Sequence, residues 1–234
     1  MRRIFSTDRD FALTLLEEGT KSEVTLMTLT PLYWMLRIKN IFSKDLYLRK
    51  PQTVDFSEMP PISGEILDLG GGGEGVIGRL FGQRVTAVDL RQEELDEAPE
   101  GPKKVVADAR DLPFPDSSFD SATAFYFLMY VKPEAYRQIF YEAFRILKAG
   151  GILYIWDTVI PVCEEPIRKI FAVPVTVKIG KKKIQTAYGV GWKDHSLSSD
   201  QLIGIARKTG FSLKLEEHSE EAFYLELIKA DHGK

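Results

Sequence analysis

The stretch Ile66-Leu67-Asp68-Leu69-Gly70-Gly71-Gly72-Gly73-Glu74-Gly75 is an apolar run that carries one acid and then gives way to glycine, with a short helical pattern from Val76 to Phe81 behind it. In that order the three pieces read as a strand, a tight loop and a crossover helix. Glycines at such a loop let the backbone come close to a ligand at the carboxyl edge of a sheet. Gly70, Gly72 and Gly75 satisfy G-x-G-x-x-G, a pattern that also fits a turn without a ligand. Asp89 adds to it. This residue closes the next apolar run about twenty residues after Gly70, where an acid can accept from both hydroxyls of an adenosine ribose. The competing role for Asp89 is to cap the helix that follows.

Working outward, short apolar runs alternate with helical patterns from Gly64 to Asp157, which is the mark of a parallel sheet with crossover helices. The expected strands are residues 65–69, 84–89, 103–108, 121–126 and 151–157. Residues 133–148 read as a helix with Pro133 in its first turn, an apolar stripe through Tyr136, Ile139, Phe140, Ala143, Phe144 and Leu147, and Gly150 past its end. A second helix starts at the Ser198 and Gln201 capping pair and stops at Gly210. Residues 211–217 and 222–229 then read as two final strands.

Two regions stand outside the alternation. Residues 1–60 are helix-like, with Thr30 and Pro31 ahead of Leu32, Tyr33, Trp34, Met35, Leu36, Ile38, Ile41 and Phe42, and they are expected to form a helical lid. Met59-Pro60-Pro61 reads as a linker, so the main domain is expected over 61–234. Within it, residues 158–195 read as an inserted hairpin with strands 171–179 and 184–190 about a turn at 180–183.

Of the 234 residues 44% are apolar and 28% charged, a globular balance that excludes disorder and fibrous repeats. The formal net charge of −3 gives no global field to draw nucleic acid or an anionic membrane, so neither is expected as a stable partner. The single cysteine, Cys163, rules out an internal disulfide and fits a reducing cytoplasm. Acids interrupt the first eighteen residues, against a signal peptide, and no apolar run is long enough to span a bilayer.

Two cofactors share the loop geometry, and charge separates them. A dinucleotide lays a pyrophosphate on the helix amino terminus, where Asp68 and Glu74 would oppose it. S-adenosylmethionine has no phosphate and presents a cationic amino group at the same edge, so Asp68 becomes an asset. That argument favours S-adenosylmethionine; an NAD-dependent oxidoreductase and a non-catalytic binding protein remain the alternatives.

Leu67-Asp68-Leu69-Gly70-Gly71-Gly72 resembles motif I of the class I S-adenosylmethionine-dependent methyltransferases, in the small-molecule branch that includes quinone-biosynthesis enzymes. Val88-Asp89-Leu90, Asp108-Ala109-Arg110-Asp111-Leu112-Pro113-Phe114 with Ser118-Phe119-Asp120, and Leu147-Lys148-Ala149-Gly150-Gly151 are similar to the family's further motifs. The resemblance implies a Rossmann-like open α/β sheet of seven strands, mostly parallel with the last antiparallel, and helices on both faces. It also implies that Gly70, Gly71 and Gly72 cradle the donor, Asp89 holds the ribose, Leu90 packs on the adenine, Asp108 accepts from the adenine amino group and the Ala109 amide reaches a ring nitrogen. The family's third loop glycine falls where this chain has Glu74, with Gly75 one place late.

The remaining residues narrow the acceptor. Ala124-Phe125-Tyr126-Phe127 lacks the Asn or Asp, two prolines and aromatic of amino-directed DNA methyltransferases, and Cys163 lies beyond the fifth strand, away from where a cytosine-C5 enzyme needs its thiolate. Asp157 has no evident carboxylate companion, so no metal is expected. Phe125, Tyr126 and Tyr130 are placed near the transferring methyl, with Tyr126 or Tyr130 as a proton acceptor. His195, between the hairpin and the capped helix, is a candidate base or a surface and capping residue. A small, partly apolar acceptor is the expected substrate.

Overall fold

The computed structural model describes residues 5–7, 46–59, 62–163, 169–193 and 195–230. Its strands are β1 (Phe5–Thr7), β2 (Leu46–Leu48), β3 (Gln52–Asp55), β4 (Ile66–Leu69), β5 (Val85–Asp89) and β6 (Lys103–Val106). They continue with β7 (Phe119–Phe125), β8 (Leu147–Thr158), β9 (Ile170–Ile179), β10 (Lys182–Gly191), β11 (Phe211–His218) and β12 (Ala222–Lys229). The helices are α1 (Val76–Phe81), α2 (Gln92–Glu97), α3 (Pro133–Ile146) and α4 (Ser199–Thr209). The chain divides into two compact units, Pro60–Pro161 with Ser196–Lys234, and Met1–Met59 with Val162–His195.

In the larger unit seven strands are hydrogen-bonded in the order β11-β12-β8-β7-β4-β5-β6. Five of them, β4 to β8, run parallel, while β12 runs antiparallel to both β8 and β11. The mostly parallel sheet that the alternation implies is present. Its order matters for function. From β4 the chain steps to β5 on one side, and β7 takes the place on the other side. Right-handed crossovers in opposite directions put α1 and α3 on opposite faces of the sheet. The reversal between β4 and β7 opens a crevice at their carboxyl ends, where open α/β sheets bind ligands.

The strands flanking that crevice are buried, with Ile66, Leu67, Leu69, Ala122 and Ala124 all solvent-inaccessible or nearly so. Helix α3 begins on Pro133 and buries Tyr136, Ile139, Phe140, Ala143 and Ile146 on one stripe. Lys229 of β12 closes its other end, donating from Nζ to the carbonyls of Phe144 at 2.8 Å and Leu147 at 2.6 Å. Helix α4 starts where its sequence says: the Ser198 hydroxyl accepts from the Gln201 amide at 3.3 Å, and Gly210 ends it with φ of 111°.

Among the strand ends that differ from expectation, those of β6 and β8 have a local cause. Strand β6 stops at Val106, short of Asp108, because the Asp108 carboxylate accepts from the Arg110 amide at 2.9 Å and curls the chain into a turn. Strand β8 begins at Leu147, directly on the end of α3, and so takes in the Lys148-Ala149-Gly150-Gly151 tract.

Within the first sixty residues, expected to be helical, the described residues 5–7 and 46–59 instead carry strands β1, β2 and β3 and a 3₁₀ turn at Phe56–Glu58. The described part of the smaller unit is a five-stranded sheet in the order β1-β3-β9-β10, with β2 also on β9. Strands β2 and β3 lie parallel to β9 and end to end along one edge, pairing with residues 170–172 and 175–178. The hairpin of β9 and β10 is thus joined to the first sixty residues in one sheet. Pro174, which has no amide to donate, sits in the gap where neither β2 nor β3 pairs. The stretch that carried the helical reading, including Tyr33, Trp34, Met35 and Ile38, lies outside the described residues, as do Pro60 and Pro61.

Replacing Ser198 by Ala removes the side-chain cap of α4 and is expected to lower stability by about 1 kcal/mol, read as a lower urea midpoint with an unchanged slope.

Candidate active site

Strand β4 ends at the crevice, and the glycine loop turns immediately toward β5. The amides of Gly70 and Gly71 both donate to the Val88 carbonyl, at 2.8 and 3.0 Å, which fastens the loop to the end of the neighbouring strand. The left-handed positions fall on Gly70, Gly73 and Gly75, with φ of 70°, 56° and 49°. Gly75 is the residue that caps α1, so Glu74 stands in a position that needs no positive φ, and the shifted glycine of this sequence is accommodated. Gly72 is needed for space. A Cβ there would lie 2.5 Å from Glu94 Cβ and 2.9 Å from Asp89 Oδ2.

Acids ring this loop. Asp68 is buried and accepts from the Thr123 hydroxyl at 2.7 Å across the β4–β7 pair. Burial pushes its pKa up to about 7, with the Thr123 bond opposing and the Asp89 charge adding. Asp89 Oδ1 accepts from the Arg91 amide at 3.0 Å, while Arg91 itself is the cap of α2, so Asp89 tightens the turn ahead of the helix. Glu94, ion-paired with Arg91, also has a raised pKa, chiefly from burial. Glu74 completes the ring: its charge, like that of Asp89, contributes to that rise.

The adjoining strand ends bring further residues to the same edge. Ala107 donates its amide to the Asp89 carbonyl at 3.0 Å, so the Asp108-Ala109 turn follows directly beside Asp89. Hydrogen bonds from the Arg110 guanidinium, 2.5 to 3.0 Å long, hold the Asp108 carboxyl below its usual range. Leu90 is 66% exposed, an apolar side chain left open at this edge.

The end of β7 is aromatic. Phe125 meets Tyr126 edge-on, with ring centroids 5.0 Å apart, and lies 6.0 Å from Trp156 on β8. Tyr126 is fully buried and left-handed, with φ of 49°. Burial, with the Asp157 charge adding, pushes its hydroxyl well above the ordinary tyrosine value, which makes it a poorer proton acceptor than an ordinary tyrosine. Tyr130 ends the 3₁₀ turn Leu128–Tyr130 and is about half exposed. His195 belongs to the smaller unit, where its Nδ1 sits 3.2 Å from the Lys193 carbonyl; the larger unit does not itself gather it.

Two members of this edge carried no distinguishing mark in the sequence, Thr123 and Glu94. Thr123 was open to inference only through register, since it lies directly opposite Asp68 in the paired strands. Among the described residues no group of three or more His, Cys, Asp or Glu is placed to hold a metal.

Residues 67–155 match the family model described as a methyltransferase domain. No curated protein matches the chain. Among solved structures, a S-adenosylmethionine-dependent methyltransferase from Methanosarcina mazei is 22% identical over 70% of this chain and 92% of its own, with a TM-score of 0.52. One from Mesorhizobium loti is 18% identical over 72% and 93%, also at 0.52. A protein from Pyrococcus horikoshii OT3 is 18% identical over 89% and 92%, at 0.51. These likenesses establish the fold of the methyltransferase domain.

The residues present at this edge fit S-adenosylmethionine. A loop without side chains at Gly70 to Gly73, ringed by Asp68, Glu74, Asp89 and Glu94, suits a cationic ligand with ribose hydroxyls and repels a pyrophosphate.

Burial pushes Asp68 up to about 7, so a donor whose ammonium group pairs with this carboxylate is expected to displace a proton on binding below that pH. The affinity for S-adenosylmethionine is expected to rise from pH 6 to pH 7 and to level off above about pH 7.5. Calorimetry in buffers of different ionisation enthalpy reads the released proton, and Asp68→Asn is expected to abolish that release. Gly72→Ala is expected to eliminate measurable donor binding, since the new methyl group would overlap Glu94.

Proposed function

We propose that the protein transfers the sulfonium methyl of S-adenosylmethionine to a small, partly apolar acceptor, as members of the small-molecule, quinone-biosynthesis-like branch of the class I methyltransferases do. The observation that carries this reading is an acid-ringed glycine loop on β4 beside an aromatic strand end, Phe125 and Tyr126, on the adjacent β7. When bound, S-adenosylmethionine supplies an electrophilic methyl group on sulfur. The chain's own part is to orient and to exclude water: in-line displacement from a sulfonium needs collinear reactants, and orientation alone can contribute about 7–11 kcal/mol.

In this reading Asp89 takes the ribose hydroxyls, Leu90 covers the adenine, Asp108 and the Ala109 amide read its edge, and Gly70, Gly71 and Gly72 accommodate the methionine part beside Asp68. Phe125 and Tyr130 flank the acceptor, and Tyr126 serves as a protonated wall. Just past the carboxyl end of β8, Ile160 and Leu197 exchange two backbone hydrogen bonds of 2.9 Å, which close this end of the larger unit. No described helix is long and apolar enough to cross a membrane. The single cysteine supports a reducing, cytoplasmic setting.

Calorimetry is expected to show binding of S-adenosylmethionine or its demethylated product and none of NAD; comparable NAD affinity would overturn the reading. Asp89→Ala is expected to cost about 1.5–3 kcal/mol of donor affinity, the worth of a charged hydrogen bond. A methyl-labelling screen is expected to mark a small molecule and no nucleic acid, with turnover unaffected by EDTA.

A further inference from the structure

Resting on the assignment of the glycine loop to the donor, we infer that Asp157 is a positioning residue for that loop, acting through residues 127–130 and the Phe127 ring. Strand β7 ends at Phe125, and the chain must turn at once to reach α3. It does so through the left-handed Tyr126, whose amide donates to the Trp156 carbonyl at 2.7 Å, and then through the tight turn at Leu128–Tyr130.

Asp157 and α3 clamp that turn. Asp157 is fully buried, one strand over on β8. Its Oδ2 accepts from the Met129 amide at 3.2 Å, its Oδ1 accepts from the Thr158 amide at 2.8 Å, and the Leu128 amide bonds to the same carboxylate. From α3, the Tyr136 hydroxyl donates to the Leu128 carbonyl at 3.1 Å. The turn is therefore held by its amides on one side and its carbonyl on the other.

The same segment reaches the donor loop. Phe127 lies against Gly70, so closely that a Cβ on Gly70 would stand 2.5 Å from Cδ2 of the ring. Gly70 is the first residue after β4, and its amide is one of the two that fasten the loop to Val88. A shift of the turn moves Phe127, and Phe127 is the wall on which the loop's first residue rests. An ionised carboxylate can accept from three amides at once, whereas the protonated acid turns one oxygen into a donor and holds the turn less well. Burial pushes Asp157 up to about 7, with its amide donors opposing, so both forms occur near neutrality.

Several titratable groups face Asp157. Tyr126 at the end of β7 and Tyr136 on α3 both have hydroxyls pushed above the ordinary range and stay protonated. From β12 the residue opposite is Phe223. Glu221, just before β12, is tied to this strand end through its backbone carbonyl, which accepts from the Thr158 hydroxyl and the Val159 amide at 2.9 Å each. Asp68 also titrates near pH 7, but it does so alike in every variant below.

The test is calorimetric binding of S-adenosylhomocysteine to the full chain and to Asp157→Asn, Tyr136→Phe, Phe127→Ala and the double variants, each verified as folded by circular dichroism. Asp157→Asn is expected to weaken binding about tenfold at pH 8 and to approach the wild type at pH 6, where the native carboxyl is itself protonated and resembles the amide. Phe127→Ala is expected to weaken binding by a similar factor, and the Asp157→Asn, Phe127→Ala double variant by no more than the larger single loss, since both act through one segment. Wild-type affinity for Asp157→Asn at pH 8, a deficit that does not change with pH, or losses that multiply in the double variant would each overturn the inference. Should Asp157→Asn fail to fold, the cycle of Tyr136→Phe with Phe127→Ala decides in the same way. A wild-type chain that binds no S-adenosylhomocysteine would overturn the donor assignment itself, a result distinct from all of these.

Discussion

The hydrogen bond from Thr123 to Asp68 joins the two strands on either side of the switch point, and the functional edge of the larger unit is arranged around it. It allows a carboxyl group to be buried at the end of β4 with a partner 55 residues away. Without Thr123 the same acid would be an unsatisfied group in the middle of the sheet, and the cost of burying it would fall on the strand pairing itself. With it, the chain can hold a titratable acid beside a loop that has no side chains.

That acid is one of four. Asp68, Glu74, Asp89 and Glu94 make the loop an unfavourable place for a phosphate, although the strand–glycine–helix arrangement is the one that dinucleotide sites use. The helix behind the loop reinforces the point. Helix α1 has six residues, is capped by a left-handed glycine, and has no acid in its first turn; the surrounding acids set the sign of the ligand it faces. The same backbone geometry thus serves a different cofactor once the charge around it is reversed.

The second buried acid, Asp157, sits on the other side of β7 and meets the chain differently. Its partners are backbone amides, so its influence reaches along the chain that follows Tyr126 and ends where Phe127 rests on Gly70. Strand β7, with Thr123 facing one acid and Tyr126 just past its end, bonded to Trp156 beside the other, is the element through which the glycine loop and the aromatic edge share a common support.

Much of this architecture was legible in the order of residues. The short apolar runs, the capped helix at Ser198, the glycine stop at Gly210 and the turn of the β9–β10 hairpin depend on neighbours a few positions away, which is what periodicity and capping residues report. The loop and the acid at Asp89 were legible for the same reason. What the sequence could not express were contacts made across the sheet: Thr123 on Asp68, Glu94 against Gly72, Phe127 on Gly70, and Asp157 on the amides of a turn 28 residues earlier. Nor could it show that β2 and β3 would join the hairpin, since two short strands with no pattern longer than four residues are defined only by the β9 edge that they complete. Local propensity settled most elements and the glycine loop of this protein; register and strand order, which bring distant residues within hydrogen-bonding reach, decided which acids are buried, which titrate near neutrality and what they hold in place.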